Sequence, residues 1–90
     1  MARPIRRLFH SAQFARAYRK LPPDLQEQAE TREKIFRADA FDRRLKTHKL
    51  RGKFSGFWSF SISYSYRIIF TFEKDGVAVF HDVGDHRVYQ

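Results

Sequence analysis

The chain has 90 residues, enough for one small domain, 1–90, with a single core built from the 42% of its residues that are hydrophobic. It contains no cysteine, which excludes disulfides, thiolate zinc sites and cysteine nucleophiles and favours a cytoplasmic setting. There are 18 lysines and arginines against 10 acidic residues, a formal charge of +8, so the expected partners are polyanions such as RNA or an acidic protein.

The N-terminal half predicts a strand followed by two helices. Residues 4–10 form a short mixed stretch that we interpret as a strand, and Ser11 after it is a good N-cap because its hydroxyl can accept from a first-turn N–H. Over residues 12–21 the apolar side chains return at helical spacing, with cations between them. Pro22 and Pro23 end this helix and begin a second one, so the two helices should form a hairpin.

The C-terminal half predicts three antiparallel strands. From Phe57 onward hydrophobic residues alternate with serines, which indicates a strand with one buried face. Residues 66–73 are apolar on both faces, the pattern of an inner strand, and Arg67 is the exception. The Asp-Gly pair at 75–76 suits a tight hairpin turn, after which residues 77–83 return as the last strand. The predicted fold is α+β, with two N-terminal helices packed on a small, mostly antiparallel four-stranded sheet in the order β-α-α-β-β-β.

The positive charge is concentrated after the second predicted helix. Residues 43–53 hold six cations and no carboxylate, whereas four acidic residues fall within 24–33. Lysine and arginine are natural ligands for phosphate groups, so this segment is a candidate nucleic-acid contact; the alternative is a solvated loop without a ligand. Its cations are Arg43, Arg44, Lys46, Lys49, Arg51 and Lys53.

Two histidines lie in basic surroundings. His48 belongs to the basic segment, and His86 follows a Gly-Asp pair near the C-terminus. An unperturbed histidine has a pKa of about 6.5 and can give or take a proton near neutral pH. Together with an arginine, such a pair suits phosphodiester chemistry on RNA. His10 and His81 lack this context, and we expect them to be structural.

Four segments of the chain resemble a known family. Residues 48–52, 56–60, 66–70 and 83–86 read HKLRG, GFWSF, YRIIF and VGDH. In the order β-α-α-β-β-β they resemble the RelE/ParE toxin superfamily of type II toxin-antitoxin systems, most strongly over residues 47–89. The resemblance implies a small basic toxin that a cognate antitoxin neutralises. Its activity would be either messenger-RNA cleavage on the ribosome or inhibition of DNA gyrase without nuclease activity, and the fold alone does not choose between them.

The chain is most similar to the RelE/YafQ-like branch, whose members cleave messenger RNA at the ribosomal A site. In that branch the histidine of a His-x-Leu-x-Gly segment and that of a Gly-x-His segment serve the reaction, and here they correspond to His48 and His86. Arg67 falls where many cleaving members carry a basic residue, and Tyr89 corresponds to a terminal aromatic that helps position a base. The chain departs from the pattern at Asp82, where some relatives have arginine, and at the turn 63–65, which reads Ser-Tyr-Ser.

The resemblance therefore implies a metal-free endoribonuclease. The ribose 2′-hydroxyl would attack the adjacent phosphorus, His48 and His86 would divide the acid and base roles, and Arg67 would hold the nonbridging oxygens. Which histidine is the base stays open, and Tyr89 would stack on an unpaired base. The residues expected to follow the backbone of messenger or ribosomal RNA are Lys46, Lys49, Arg51, Lys53 and Arg87.

No cofactor or membrane is expected. The sequence has no His-Glu-x-x-His spacing, few ligands near His86 and no glycine-rich phosphate loop, so we expect no metal site. No apolar run approaches the roughly 20 residues that cross a bilayer, and no signal-peptide core follows the N-terminus. We expect a soluble, unprocessed cytoplasmic protein. A plain nucleic-acid-binding module without catalysis is a further alternative.

Overall fold

The computed structural model describes residues 2–85, which form two helices on one face of a five-stranded sheet. The predicted α+β fold is confirmed. His86, Arg87 and Tyr89, three of the predicted site residues, lie outside the described residues. In chain order the helices and strands are β1 (Arg7–His10), α1 (Ala12–Arg19), α2 (Pro23–Ala38), β2 (His48–Lys49), β3 (Trp58–Ser61), β4 (Tyr66–Phe72) and β5 (Val77–Asp85).

The sheet has the strand order β1-β5-β4-β3-β2, in which β1 runs parallel to β5 and every other pair is antiparallel. The prediction of four strands was therefore one too few. The additional strand, β2, consists only of His48 and Lys49, which pair with Ser59 and Trp58. A strand of two residues is too short to show an alternating pattern, so sequence patterns do not reveal it.

Local sequence signals place the helices as predicted. The Ser11 hydroxyl accepts a hydrogen bond from the Phe14 backbone N–H at 3.0 Å, which caps α1. Pro23 stands at the start of α2, where its missing N–H costs no hydrogen bond. The hairpin turn before β5 is also confirmed, since Asp75 and Gly76 have φ of 59° and 75°, the positive values that an Asp-Gly turn requires.

Four phenylalanine rings form the centre of the core. Phe36 of α2 contacts Phe60, Phe70 and Phe80 on three neighbouring strands, with ring centroids 4.9, 4.8 and 5.3 Å away. All four side chains are fully buried. Stacked and edge-to-face pairs of this kind add about 0.5 to 1.5 kcal/mol each beyond the area they bury. Phe36 therefore fixes α2 against the middle of the sheet.

The other sheet face, which we term the outer face, is partly covered as well. Ser59 points to it and is fully buried, so the prediction of one buried face for β3 was wrong at this residue. Ser59 lies between His48 and Ile69 in the cross-strand register, and both neighbours are larger than serine. The rings of Phe57 and His81 meet at 5.3 Å across β4, and Ile69 on the same face is buried as well.

Side-chain hydrogen bonds join the two helices. The Tyr18 hydroxyl of α1 donates to a carboxylate oxygen of Glu30 in α2 at 2.6 Å, and the side chain of Gln26 donates to the Tyr18 carbonyl. Burial and then the hydrogen bond to Glu30 raise the pKa of Tyr18 to about 12. Because a raised folded pKa favours the protonated form, this contribution to stability is complete below pH 10 and is lost as the pH rises towards 12.

Replacing Phe36 with alanine should lower the free energy of unfolding by about 3 to 5 kcal/mol, because it leaves a cavity among three rings. Urea denaturation followed by Trp58 fluorescence measures this loss. The matched control is Phe9→Ala, since the Phe9 side chain is 48% exposed; we expect a change below about 1 kcal/mol. Equal losses in the two variants would contradict the role given to Phe36.

The tyrosine absorbance change near pH 12 should disappear in Tyr18→Phe, because Tyr18 is the residue whose pKa burial and Glu30 raise. An alkaline absorbance titration measures it. Tyr64→Phe, at a side chain that is 97% exposed, is the control and should keep this transition. A transition that survives unchanged in Tyr18→Phe would refute the assignment.

Candidate active site

The strand register brings His48 and Arg67 to the same face of the sheet. His48 pairs with Ser59 and Ser59 with Ile69, while Arg67 pairs with Ser61 in the next row of the outer face. Two strand spacings and a step of two residues put the Cα atoms of His48 and Arg67 about 12 Å apart. A histidine and an arginine at this separation can reach one phosphate group from two sides.

The ring of His48 has a defined hydrogen-bonding arrangement. Its Nδ1 lies 3.0 Å from the backbone carbonyl oxygen of Lys46. A carbonyl can only accept, so Nδ1 carries the proton, and in the neutral ring Nε2 is left as an acceptor. The side chain is exposed. The neutral form of His48 is therefore in the tautomer that a general base at Nε2 needs.

Lys46 holds its carbonyl in place through an uncommon backbone conformation. Its φ of 54° and ψ of 43° lie in the left-handed region, which costs a non-glycine residue about 1 to 2 kcal/mol. This conformation ends the turn Arg43–Leu45 and directs the chain towards β2. Leu45 just before it is fully buried and anchors this turn in the core.

Arg67 is half-buried and oriented by its cross-strand neighbour, because its guanidinium donates to the Ser61 hydroxyl. Within residues 2–85 no carboxylate pairs with it. Two acidic residues of β5 and of the turn before it have other partners: Glu73 accepts from the Thr71 hydroxyl and Asp82 from the Gln13 side chain. The positive charge of Arg67 is therefore available to an anion.

A small basic pocket, which we term the arginine pocket, opens beside Arg67. Its volume is about 220 Å³, and it lies where α2, the turn 43–45 and the β3–β4 turn meet. Sequence reasoning had assigned no role to Arg32 or Tyr64 in it. Its lining residues are Arg32, Arg44, Lys46, Ser61, Ser63, Tyr64 and Arg67.

The arginines of the pocket differ in their partners. Arg44 donates two hydrogen bonds to the two carboxylate oxygens of Asp42, at 2.9 and 2.8 Å, which lowers the pKa of Asp42 below its ordinary value. Arg32 donates instead to the neutral backbone carbonyl of Arg44 at 2.7 Å. Among residues 2–85, no carboxylate pairs with Arg32 or Lys46. Of the four cations in the pocket, only Arg44 thus has a carboxylate partner within residues 2–85.

The structure divides the predicted RNA-contacting residues between two faces. Lys46 reaches the arginine pocket, but Lys49 points to the opposite side of β2, where its ammonium lies 5.6 Å from the centre of the Trp58 ring. Arg51 and Lys53 are exposed in the loop between β2 and β3. Lys49 therefore lies on the side of β2 opposite to His48, because neighbouring residues of a strand alternate in direction, and its contact with RNA stays a prediction.

The other two described histidines have firm partners. The His10 ring stacks on Phe80 at 5.4 Å and bonds Glu33 at 3.0 Å, the setting of a structural histidine. His81 lies on the outer face at a bulge in β5. Its Nε2 lies 2.9 Å from the Thr71 hydroxyl, which itself donates to Glu73, so Nε2 of His81 must be the donor.

Residues 2–85 contain no cluster of three His, Cys, Asp or Glu side chains that could hold a metal ion. None of the helices in this part of the chain is both long and apolar enough to span a membrane.

No protein-family model and no curated protein matches the sequence. Solved structures do match. The YoeB/ParE toxin from Agrobacterium tumefaciens superposes with a TM-score of 0.75 at 17% identity, over 89% of this chain and 98% of that one. The toxin-antitoxin complex RelBE2 from Mycobacterium tuberculosis gives 0.71 at 19% identity, over 96% and 94%. YafQ from E. coli gives 0.65 at 16% identity, over 90% and 93%. The chain thus has the fold of the RelE/ParE toxins, which confirms the fold that the resemblance implied.

Nitrogen-15 NMR of the histidine rings should find opposite tautomers for His48 and His81. At a pH where both rings are neutral, the Lys46 carbonyl should keep the proton of His48 on Nδ1, and Thr71 should keep that of His81 on Nε2. His81→Gln and His48→Gln assign the two signals. A His48 ring protonated mainly on Nε2 would rule out the base assignment.

Proposed function

We propose that this protein is the toxin of a type II toxin-antitoxin system and acts as a ribosome-dependent messenger-RNA endoribonuclease. One observation carries the proposal: His48, with Nε2 free to accept, and Arg67, without a carboxylate partner in residues 2–85, share the outer face of the sheet. The fold supports it, since the chain has the fold of proteins described as YoeB/ParE, YafQ and RelBE2 toxins or toxin-antitoxin complexes.

The reaction needs a base, an acid and a positive charge. Nε2 of His48 takes the proton of the ribose 2′-hydroxyl as its oxygen attacks the adjacent phosphorus. Arg67 offsets the charge on the nonbridging oxygens. The bond from phosphorus to the 5′-oxygen breaks, leaving a 2′,3′-cyclic phosphate and a 5′-hydroxyl. The proton for that leaving oxygen comes from His86, with Tyr89 stacked on a base; both stay predictions from the sequence.

The charge of the chain suits both partners that the proposal requires. The backbone of the messenger or of ribosomal RNA would be contacted by Lys46, Lys49, Arg51, Lys53 and Arg87, a sequence-independent attraction that weakens with salt. A cognate antitoxin would complement the same charge of +8 with acidic residues. Because it would bind only the folded toxin, it should raise the melting temperature by mass action.

A gyrase inhibitor is the second candidate, because one structural relative is described as a YoeB/ParE toxin. Such a protein would bind its target without hydrolysis. His48 and Arg67 would then be dispensable, and the lesion after expression would be in DNA and not in messenger RNA.

Primer extension on a defined messenger in a reconstituted translation reaction tests the proposal. Wild type should produce new stops inside codons only when ribosomes are present. His48→Ala and His86→Ala should each cut about 100- to 10,000-fold more slowly, the usual range for a positioned proton-transfer group. Arg67→Ala should cut about 100- to 1,000-fold more slowly, the usual range for a group that stabilises charge in the transition state. Lys34→Ala, an exposed cation of α2 outside the arginine pocket, is the matched control and should cut at the wild-type rate.

A messenger with a 2′-deoxynucleotide at the mapped cleavage position should resist the protein, because the attacking oxygen is missing. If wild-type protein leaves the messenger intact and inhibits supercoiling by gyrase, the nuclease proposal fails and the protein is a gyrase inhibitor. Cleavage that persists in His48→Ala and Arg67→Ala would refute the assignment of the outer face.

A further inference from the structure

We infer that the arginine pocket binds one nucleotide of the RNA strand next to the reacting phosphate, with its phosphate among the cations and its base stacked on Tyr64. The inference rests on the proposed function and deepens it. It adds Arg32 and Tyr64 to the residues that contact RNA.

The charge of the pocket requires an anion. Arg32, Lys46 and Arg67 surround a cavity of about 220 Å³, and no carboxylate in residues 2–85 pairs with any of them. The nearby carboxylate of Asp42 already binds Arg44 through both its oxygens. Cations that line one small cavity repel one another, and an anion that enters between them relieves this repulsion. Guanidinium groups match the oxygens of a phosphate in geometry as well as in charge.

Hydrogen bonds orient two of the three unpaired cations without a ligand, and the backbone of the third is fixed. Arg32 is tied to the Arg44 carbonyl, and Arg67 to the Ser61 hydroxyl. Lys46 sits in a fixed left-handed turn. Groups oriented before binding lose less conformational entropy when the ligand arrives, so the pocket is prepared to bind and is not merely a crowded surface.

Tyr64 supplies the contact for a base. It lies in the β3–β4 turn, lines the pocket and is 97% exposed, the most exposed of the large hydrophobic side chains in residues 2–85. The turn that carries it is fixed by the Ser63 hydroxyl, which accepts from the backbone N–H of Tyr66. A ring so exposed contributes little to folding. An exposed aromatic ring beside a cationic pocket is the arrangement on which single-strand-binding proteins stack bases.

The size and place of the pocket define which part of the RNA it receives. Its volume is below the roughly 300 to 1,000 Å³ of sites for drug-sized molecules, so it admits one phosphate and not a whole oligonucleotide. Arg67 lines the pocket and also lies on the outer face with His48. A strand whose scissile phosphate lies between His48 and Arg67 therefore places an adjacent nucleotide at Tyr64.

Calorimetric titration with 5′-phosphorylated trideoxyadenylate tests the inference, because this probe lacks the 2′-hydroxyl and cannot be cut. Tyr64→Ala should bind about tenfold more weakly and Tyr64→Phe like wild type, since stacking needs the ring and not the hydroxyl. Arg32→Gln should also weaken binding and should reduce the slope of log K against log salt by about 0.7. Lys34→Gln removes the same charge from the same helix outside the pocket and should leave both values unchanged.

Three results would overturn the subsite: wild-type affinity in Tyr64→Ala, equal losses in Arg32→Gln and Lys34→Gln, or equally tight binding of a hexaglutamate peptide that depends on Arg32 but not on Tyr64. The last would make the pocket a protein-docking surface.

Cleavage separates this inference from the proposed function. If the wild-type protein leaves messengers intact but binding of the probe still depends on Arg32 and Tyr64, only the nuclease proposal fails. If wild type cuts and Tyr64→Ala binds and cuts normally, only the subsite fails.

Discussion

The packing of Phe36 against three strands is the contact on which the rest of the molecule depends. One aromatic side chain from α2 meets Phe60, Phe70 and Phe80, so the helix layer is fixed over the middle of the sheet. Hydrophobic area is buried mainly on that side. The opposite face is therefore free to carry polar and charged side chains, and the candidate site uses that freedom.

Charge is arranged in two ways around this frame. Asp42 and Arg44 neutralise each other through paired hydrogen bonds and stabilise the chain after α2. Arg32 and Arg67 are instead held by uncharged groups, a backbone carbonyl and a serine hydroxyl. A neutral acceptor orients a guanidinium without cancelling its charge. The distinction separates cations that serve the fold from cations available to a ligand.

Most of the fold could be predicted from the sequence because the spacing of hydrophobic residues over long segments distinguishes helices from strands. Sequence reasoning missed β2, which is too short to have a period, and so it gave no indication that strand geometry sends His48 and Lys49 to opposite faces. It also missed the arginine pocket. Arg32 on a helix and Tyr64 in a turn have no pattern in common, and only tertiary packing brings them together. The roles of His86, Arg87 and Tyr89 rest on the sequence alone.

The position of β2 has a consequence for how firmly His48 is held. This strand is two residues long and lies at the edge of the sheet, so it is paired on one side only. Edge segments with few backbone contacts open with smaller free energies than the centre of a protein. Opening of β2 would therefore displace the proposed base without global unfolding of the protein. Amide exchange at His48 and Lys49 would report this opening directly.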